Sequence, residues 1–328
     1  MHTPFVFIVM FTYNHEHFIA QAIESILMQE TNFNYKLYIG EDSSTDKTKN
    51  ICLSYMEKYK DKIEVVSTVK NNIKENSLNT WRASVASGAK YIANCEGDDY
   101  WTDPHKLQKQ IDFLEKNNDF VAVGHNVREL IEGEYFVPES SVNNFKKICL
   151  NDTGYHTPCH TCSLVARNVL NPWPDFLSKS PIGDWPIQSL LLAKGDMMIM
   201  PDVMAVYRKN TGMWSSMSRI KQINGIIVAI NLMLVQPEFD NFKLFKEHLS
   251  LTKINYIKEV ATLIENDASP QYESEINSIK YFEDKIEELN SIFKDVQRLS
   301  AKVTVPVLIK TLQKKIFRSL KNKLNIHV

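Results

Sequence analysis

Residues 92–101 read Ile-Ala-Asn-Cys-Glu-Gly-Asp-Asp-Tyr-Trp, so an apolar strand pattern at 91–95 runs directly into three acids. Glu96, Asp98 and Asp99 are spaced closely enough to repel one another, and a divalent cation or hydroxyl donors would relieve that repulsion. Carboxylates at a strand end suit Mg²⁺ or Mn²⁺ held together with a phosphate group. The segment also fits an Asp-rich turn before a helix, since Asp103-Pro104 is typical of a helix start.

The first half of the chain alternates strand and helix patterns. Continuous apolar runs predict strands at 5–11, 37–40, 63–66, 91–95 and 120–123, and a further strand is expected at 203–208. Helical spacing of apolar residues follows most of these runs, as at 18–27, 77–88 and 103–116, with Asn14 as the expected cap of the first helix. This alternation predicts an α/β fold with a mainly parallel sheet flanked by helices.

Polar clusters stand where three of the predicted strands end. They are residues 12–14, the pair Glu41-Asp42 and the acids of 96–99. In open parallel sheets, ligands bind outside the carboxyl ends of the strands. Three clusters at one edge are harder to explain as ordinary turns than one cluster is, so the sequence predicts a nucleotide site there.

Composition and charge exclude several classes of protein. The net charge of −1 gives no argument for a nucleic-acid partner. Five cysteines without a disulfide pattern fit a reducing cytosol, and Cys159-His160-Thr161-Cys162 is only half of a zinc pattern. No stretch approaches about 18 apolar residues, so no membrane span is expected and the predicted location is cytoplasmic.

The chain changes character near residue 219. Residues 130–180 are rich in Pro and Gly and predict loops and short strands, where acceptor specificity is expected. From Arg219 onward, helical periodicities are interrupted by Pro237, Pro270 and Pro306. We therefore predict one domain at 1–218 and a C-terminal helical region at 219–328.

The motifs together resemble a known family over roughly residues 4–216. The pattern includes Phe-Thr-Tyr-Asn at 11–14, Glu-Asp-Ser-Ser-Thr-Asp-Lys-Thr at 41–48, Glu-Gly-Asp-Asp-Tyr-Trp at 96–101, Gly-Asp-Trp at 183–185 and Val-Tyr-Arg at 206–208. It is similar to the family 2 glycosyltransferases of GT-A fold, whose nucleotide-binding half is Rossmann-like. The nearest branch builds bacterial surface glycans such as capsule or O-antigen.

The resemblance implies an inverting, metal-dependent transfer of a sugar from a nucleoside diphosphate donor, with UDP expected. It implies Asp184 as the catalytic base and Asp99 with Asp98 as ligands of Mn²⁺ or Mg²⁺. Nucleotide contacts are implied for Thr12, Tyr13, Asn14, Glu16, Asp42, Arg82 and Asp98. Donor or acceptor contacts are implied for Glu96, Trp101, His160, Trp185, Arg208, Asn210 and Trp214.

Several of these residues keep a second interpretation. Asp184 also fits a cap of the helix that follows it. Trp101 and Trp185 fit either stacking on a ligand ring or packing in the core. Arg82 fits either a diphosphate contact or a surface position.

Three further positions leave alternatives open. His160 fits either a contact to a sugar or a structural histidine. Arg208 lies in a predicted strand beside the site and is a stronger candidate than Arg82 for a phosphate or acceptor contact. Asn210 stands where many relatives have a histidine, and asparagine is a weaker metal ligand.

The end of the chain carries a basic amphipathic pattern. Residues 301–328 contain seven Lys or Arg and no Asp or Glu, with an apolar stripe at helical spacing within 306–326. Such a helix predicts peripheral contact with the inner face of an anionic membrane. It also fits a helix that packs on its own domain or pairs with a second subunit as a homodimer.

Three hypotheses follow for function. The first is a glycosyltransferase acting on a glycan or lipid-linked glycan acceptor. The second is a non-catalytic nucleotide-sugar-binding or assembly subunit, which only Asn210 supports. The third is a nucleotidyltransferase, which ranks last because the first strand is not followed by a Gly-rich phosphate loop.

Overall fold

The computed structural model describes residues 3–266 except 213, 215 and 216. The strands are β1 Val6–Thr12, β2 Tyr35–Glu41, β3 Ile63–Ser67, β4 Tyr91–Asn94, β5 Tyr100–Trp101, β6 Phe120–Ile131, β7 Glu134–Phe136, β8 Lys146–Ile148, β9 Val165–Arg167 and β10 Asp196–Arg208. The helices are α1 Ile19–Leu27, α2 Thr48–Lys58, α3 Ile73–Ala86, α4 Lys106–Lys116, α5 Asp184–Leu192, α6 Arg219–Leu234 and α7 Lys243–Asn266.

The strands form one sheet in the order β3-β2-β1-β4-β9-β6-β10-β5, with β7 on β6 and β8 on β10. Strands β1 to β4 run parallel to one another, and β6 pairs in parallel with β10. The short strand β9 lies antiparallel between β4 and β6. The predicted α/β fold with a mainly parallel sheet is therefore confirmed.

Apolar side chains on both faces of the sheet are buried against helices. On β1, Val6, Ile8 and Met10 join a core with α1, α2 and α4, whereas Phe7 and Val9 join a second core with α3, α5 and α6. A strand covered on both faces needs a continuous apolar run, which explains the pattern at 5–11. This packing fixes the carboxyl ends of β1, β2 and β4 at one edge.

The predicted C-terminal helices are present as α6 and α7. The described residues contain no helix that is long and apolar enough to cross a membrane. Contacts divide the chain into residues 1–256 and 257–328. The boundary at 218/219 stays a prediction. The predicted membrane or dimer helix at 306–326 lies outside the described residues.

Candidate active site at the carboxyl edge of the sheet

The acid loop (residues 95–99) leaves β4 and lies across the end of β1. The Cys95 N–H donates to the Val9 carbonyl at 3.0 Å, and the Gly97 N–H donates to the Phe11 carbonyl at 2.8 Å. A Cβ atom on Gly97 would stand 2.7 Å from Thr12 Oγ1. Glycine is therefore required for the loop to lie this close to β1.

Two acids of this loop are held by residues at the end of β10 and in the turn after it. Asp99 is 1% exposed, and its Oδ1 accepts from the backbone N–H of Arg208 at 2.8 Å. Asp98 Oδ2 accepts from the Thr211 hydroxyl at 2.8 Å. Glu96 Oε2 is buried and has no hydrogen-bond partner within the described residues. One buried carboxylate oxygen thus remains available for a ligand.

The acids repel one another strongly in this setting. Burial raises the pKa of Glu96 to about 8, and the charges of Asp98 and Asp184 add to the effect. Burial, together with the charges of Asp98 and Glu96, also raises the pKa of Asp99 well above its usual value, although the Arg208 N–H opposes this. The carboxyls of Glu96, Asp98 and Asp99 therefore form one electrostatic cluster, and the charge of Asp184 also acts on Glu96.

The donor chemistry of the acid loop fits a hard divalent cation, because its oxygens include the unpartnered Glu96 Oε2. Among the described residues, however, no three His, Cys, Asp or Glu side chains are gathered for a metal ion. The half zinc pattern forms no such group: Cys162 is buried in the core, and Cys159 Sγ lies 3.4 Å from Gln188 Oε1.

Asp184 is the first residue of α5, where the helix dipole favours a negative charge. Backbone N–H groups at the helix start and the nearby Thr157 side chain favour the charged form of Asp184, which opposes the rise of its pKa on burial. The residue is accessible to solvent, yet the protein around the carboxyl raises its pKa above the usual value. The position at the helix start and a role as base are thus compatible.

Two of the predicted nucleotide residues link neighbouring loops. Asn14 Oδ1 accepts from the Thr45 N–H at 2.9 Å, and Glu16 Oε2 accepts from the Lys47 N–H at 3.0 Å. The expectation that Asn14 caps the first helix was wrong. That helix begins at Ile19 without a side-chain cap, because the Asn14 side chain is directed to the loop after β2.

The remaining predicted nucleotide residues occupy different settings. Thr12 is buried at the end of β1, Tyr13 is half-buried, and Arg82 is exposed on α3. Asp42 is fully buried, and its two oxygens accept from the Thr68 hydroxyl, the Asn71 amide and the Asn72 N–H at 2.9–3.0 Å. Asp42 thus joins β2 to the segment after β3, and its contact with a base stays a prediction.

Two predicted ligand contacts are corrected by burial. Trp101 is 1% exposed and its Nε1 donates to the Cys162 carbonyl, while Trp185 is 3% exposed and its Nε1 donates to the Thr153 carbonyl. Both indoles are surrounded by the core with their N–H groups satisfied, so neither presents a face to a ligand. Trp214 is 38% exposed, and its predicted contact is untested.

Two predicted site residues can be explained by their surroundings: His160 by a side-chain contact and Asn210 by its backbone conformation. His160 Nε2 lies 3.5 Å from Glu129 Oε1, and burial lowers the pKa of its ring. Asn210 is exposed with a φ of 67°, a left-handed conformation that asparagine tolerates better than most residues. The turn after β10 thus accounts for the asparagine without reference to metal binding.

His15 is a site residue that the sequence did not reveal. Its Nδ1 lies 3.3 Å from Thr12 Oγ1 and its Nε2 lies 3.9 Å from Asp98 Oδ2. Burial lowers the pKa of the ring, although Asp98 opposes this. Its position directly after the 12–14 cluster was the only signal available.

A sequence model described as "Glycosyl transferase family 2" matches residues 7–172, just over half of the chain. An uncharacterized protein of Mycobacterium tuberculosis is 32% identical over 214 residues, which are 64% of this chain and 60% of that protein. The Escherichia coli UDP-Glc:alpha-D-GlcNAc-diphosphoundecaprenol beta-1,3-glucosyltransferase WfgD is 30% identical over 172 residues, 51% of this chain and 62% of that enzyme. The chain thus spans about 60% of the length of these relatives.

Solved structures share the fold at low identity. Staphylococcus aureus TarS 1–349 has a TM-score of 0.60 at 14% identity, covering 81% of this chain and 76% of that one. The mannosyltransferase PcManGT of Pyrobaculum calidifontis, in complex with GDP-Man and Mn²⁺, has a TM-score of 0.54 at 17% identity, covering 86% and 85%. These matches confirm the predicted GT-A fold.

Proposed function

The chain belongs to glycosyltransferase family 2, and from that premise we propose that it transfers a sugar from a nucleoside diphosphate donor to a glycan or lipid-linked glycan. The observation that carries the proposal is the cluster of Glu96, Asp98 and Asp99 carboxyls, in which Glu96 senses the charge of Asp184 and Glu96 Oε2 has no partner within the described residues. Such a cluster at the carboxyl edge of a parallel sheet suits a cation with a diphosphate.

Asp98 and Asp99 would hold the divalent cation. When bound, the cation would offset the negative charge that develops on the leaving nucleoside diphosphate. Mn²⁺ and Mg²⁺ both accept such oxygen ligands. In this proposal, the loops after β1 and β2 bind UDP or a related nucleotide.

Asp184 acts as general base in this proposal. Its carboxylate accepts the proton of the acceptor hydroxyl as that oxygen attacks the anomeric carbon of the donor sugar. One displacement inverts the configuration at that carbon and needs no covalent intermediate. The raised pKa of Asp184 makes it a stronger base than an ordinary aspartate.

The choice of a UDP-sugar and a lipid-linked acceptor draws on WfgD, whose name specifies both UDP-Glc and a diphosphoundecaprenol-linked sugar. The proposal includes a role in surface glycan synthesis at the inner face of the membrane, as the resemblance of the motifs and the basic C-terminal pattern led us to expect. The non-catalytic alternative loses its argument from Asn210, because the left-handed backbone there provides a separate reason for asparagine.

The test is nucleotide release from a panel of UDP- and GDP-sugars with Mn²⁺, measured on the wild type and on Asp184→Asn. We expect Asp184→Asn to lower turnover by about 10²-fold or more, as loss of a general base does. Donor affinity should change little, since the base is not assigned to donor binding.

Asp175→Asn is the matched control, since Asp175 is also an exposed aspartate in the first turn of a short helix. It should keep the wild-type rate. An Asp184→Asn variant as active as the wild type would contradict the assignment of the base. Nucleotide binding without turnover for every donor and acceptor tried would favour the non-catalytic alternative.

A further inference from the structure

Arg208, the last residue of β10, donates hydrogen bonds to the acid loop and to α1. Its backbone N–H donates to Asp99 Oδ1 at 2.8 Å. One terminal guanidinium nitrogen, Nη1, donates to the backbone carbonyl of Asp98, and the other, Nη2, donates to Gln21 Oε1 on α1. The guanidinium therefore connects the acid loop to α1.

Aromatic rings cover the same guanidinium. Its central carbon lies 4.8 Å from the ring centre of Phe18 and 4.7 Å from that of Tyr100. Both distances are within the range of cation–π attraction. A planar guanidinium that lies beside two rings and donates from both terminal nitrogens is well fixed in one orientation. It is correspondingly less available as a direct ligand of a phosphate.

We propose that Arg208 is a positioning residue that, together with Gln21, fixes the acid loop so that Asp98 and Asp99 face the donor. This inference rests on the proposed function, because donor binding at the acid loop is part of that proposal. Gln21 is the informative half of the pair. It is exposed on α1 and has no assigned contact with substrate.

The positioning role and direct phosphate binding make opposite predictions for Gln21. If Arg208 binds phosphate by its charge alone, Gln21→Ala has no effect and Arg208→Lys retains much of the affinity. If Arg208 fixes the loop, Gln21→Ala weakens the site. Arg208→Lys then fails as a replacement, because one ammonium group cannot reproduce the bonds to both Asp98 and Gln21.

The first readout is hydrogen exchange in the acid loop, which needs neither substrate nor activity. The Gly97 and Asp99 amides are bonded to the Phe11 and Glu96 carbonyls in the intact loop. We expect exchange of the 95–101 segment to be several-fold faster in Gln21→Ala and faster still in Arg208→Lys. Gln108→Ala, which removes a side-chain amide from α4, is the control and should match the wild type.

The second readout is affinity for UDP in the presence of Mn²⁺. We expect Gln21→Ala to weaken it about threefold to tenfold and Arg208→Lys by more than tenfold. The double variant should be no weaker than Arg208→Lys alone, because both changes remove one connection.

The outcomes separate the two proposals. Wild-type exchange in Gln21→Ala, or a double variant whose effects simply add, would overturn the positioning role. Faster exchange in the variants, with no UDP binding even by the wild type, would contradict the proposed function and leave the mechanical connection intact. Faster exchange with weakened UDP binding supports both.

Discussion

At the scale of single residues, the site depends on how closely the acid loop approaches β1. Gly97 allows that approach, since a Cβ there would lie 2.7 Å from Thr12 Oγ1, 2.8 Å from Thr12 Cβ and 3.1 Å from His15 Nδ1. Thr12 and His15 are themselves enclosed, so they cannot move aside without disturbing the loops around them. The position of Asp98 therefore depends on a residue with no side chain.

We predict that Gly97→Ala displaces the acid loop and lowers stability by about 1–3 kcal/mol, the usual effect of overpacking a close contact. Nucleotide affinity should fall at least tenfold, as measured by titration calorimetry alongside denaturant unfolding. Gly183→Ala is the control beside Asp184, since a Cβ there meets nothing nearer than Ile187 Cδ1 at 3.6 Å. If both variants bind nucleotide equally well, the close approach is unimportant for the site.

The acids of the acid loop could be predicted from the sequence because they lie close together along the chain. Glu96, Asp98 and Asp99 are clustered beside a strand, and in the structure the charge of Asp184 acts on Glu96. The burial of Trp101 and Trp185 could not be predicted, because an indole suits a core and a ligand equally well. His15 was missed because a lone histidine carries no pattern.

At the scale of secondary structure elements, α4 contains a fully buried lysine, Lys106. Lys106 Nζ donates to Gln110 Oε1 at 2.8 Å and lies 4.0 Å from the ring centre of Trp101. Burial lowers the pKa of Lys106 to about 7. An unfolded lysine keeps its proton up to a pH of about 10.4, so between these values the unfolded chain binds one more proton than the folded chain.

The contribution of Lys106 to the free energy of unfolding must therefore rise with pH above about 7. We predict that the unfolding free energy of the wild type, minus that of Lys106→Met, increases by about 1 kcal/mol per pH unit between pH 7 and 8.5. Denaturant unfolding at several pH values measures this difference. Lys116→Met, at the exposed end of the same helix, is the control, and parallel curves for the wild type and Lys106→Met would contradict the prediction.

The buried parallel strands could be predicted from the sequence, whereas the short antiparallel strands β5 and β9 could not, and the difference has a physical reason. The runs that became β1 and β4 are apolar along most of their length because both faces are buried, so their pattern is strong. The antiparallel strands β5 and β9 contain two and three residues, and their pairing is decided by partners distant in sequence. Local pattern carries almost no signal for such strands.

At the scale of the whole molecule, α6 and the start of α7 complete the core on one face of the sheet. Ile230, Met233, Phe239, Phe245 and Leu249 are fully buried in the same cluster as residues of α3 and α5. Thr252 also donates to the Gly154 carbonyl at 2.9 Å. This packing and the predicted boundary at 218/219 lead to opposite expectations for a shortened chain.

We predict that a chain ending at residue 218 fails to fold cooperatively, whereas one ending at 256 folds. Losing five buried apolar side chains removes on the order of 10 kcal/mol, which is comparable to the whole stability of a typical domain. Circular dichroism with thermal unfolding distinguishes the two chains. A cooperative transition and nucleotide binding by the 1–218 chain would instead establish the boundary expected from the sequence.

In the proposed function, the acid loop binds a nucleoside diphosphate with a divalent cation, and Asp184 takes the proton of the acceptor hydroxyl. The most direct measurement is the thermal shift of the full chain with UDP, GDP and their sugars, with and without Mn²⁺, for the wild type, Asp98→Asn and Asp184→Asn. Ligand at 100 times its Kd should stabilise the wild type by about 2.7 kcal/mol. We expect a Mn²⁺-dependent shift that Asp98→Asn loses and Asp184→Asn keeps, whereas the absence of a shift in the wild type with every nucleotide would rule out donor binding at the acid loop.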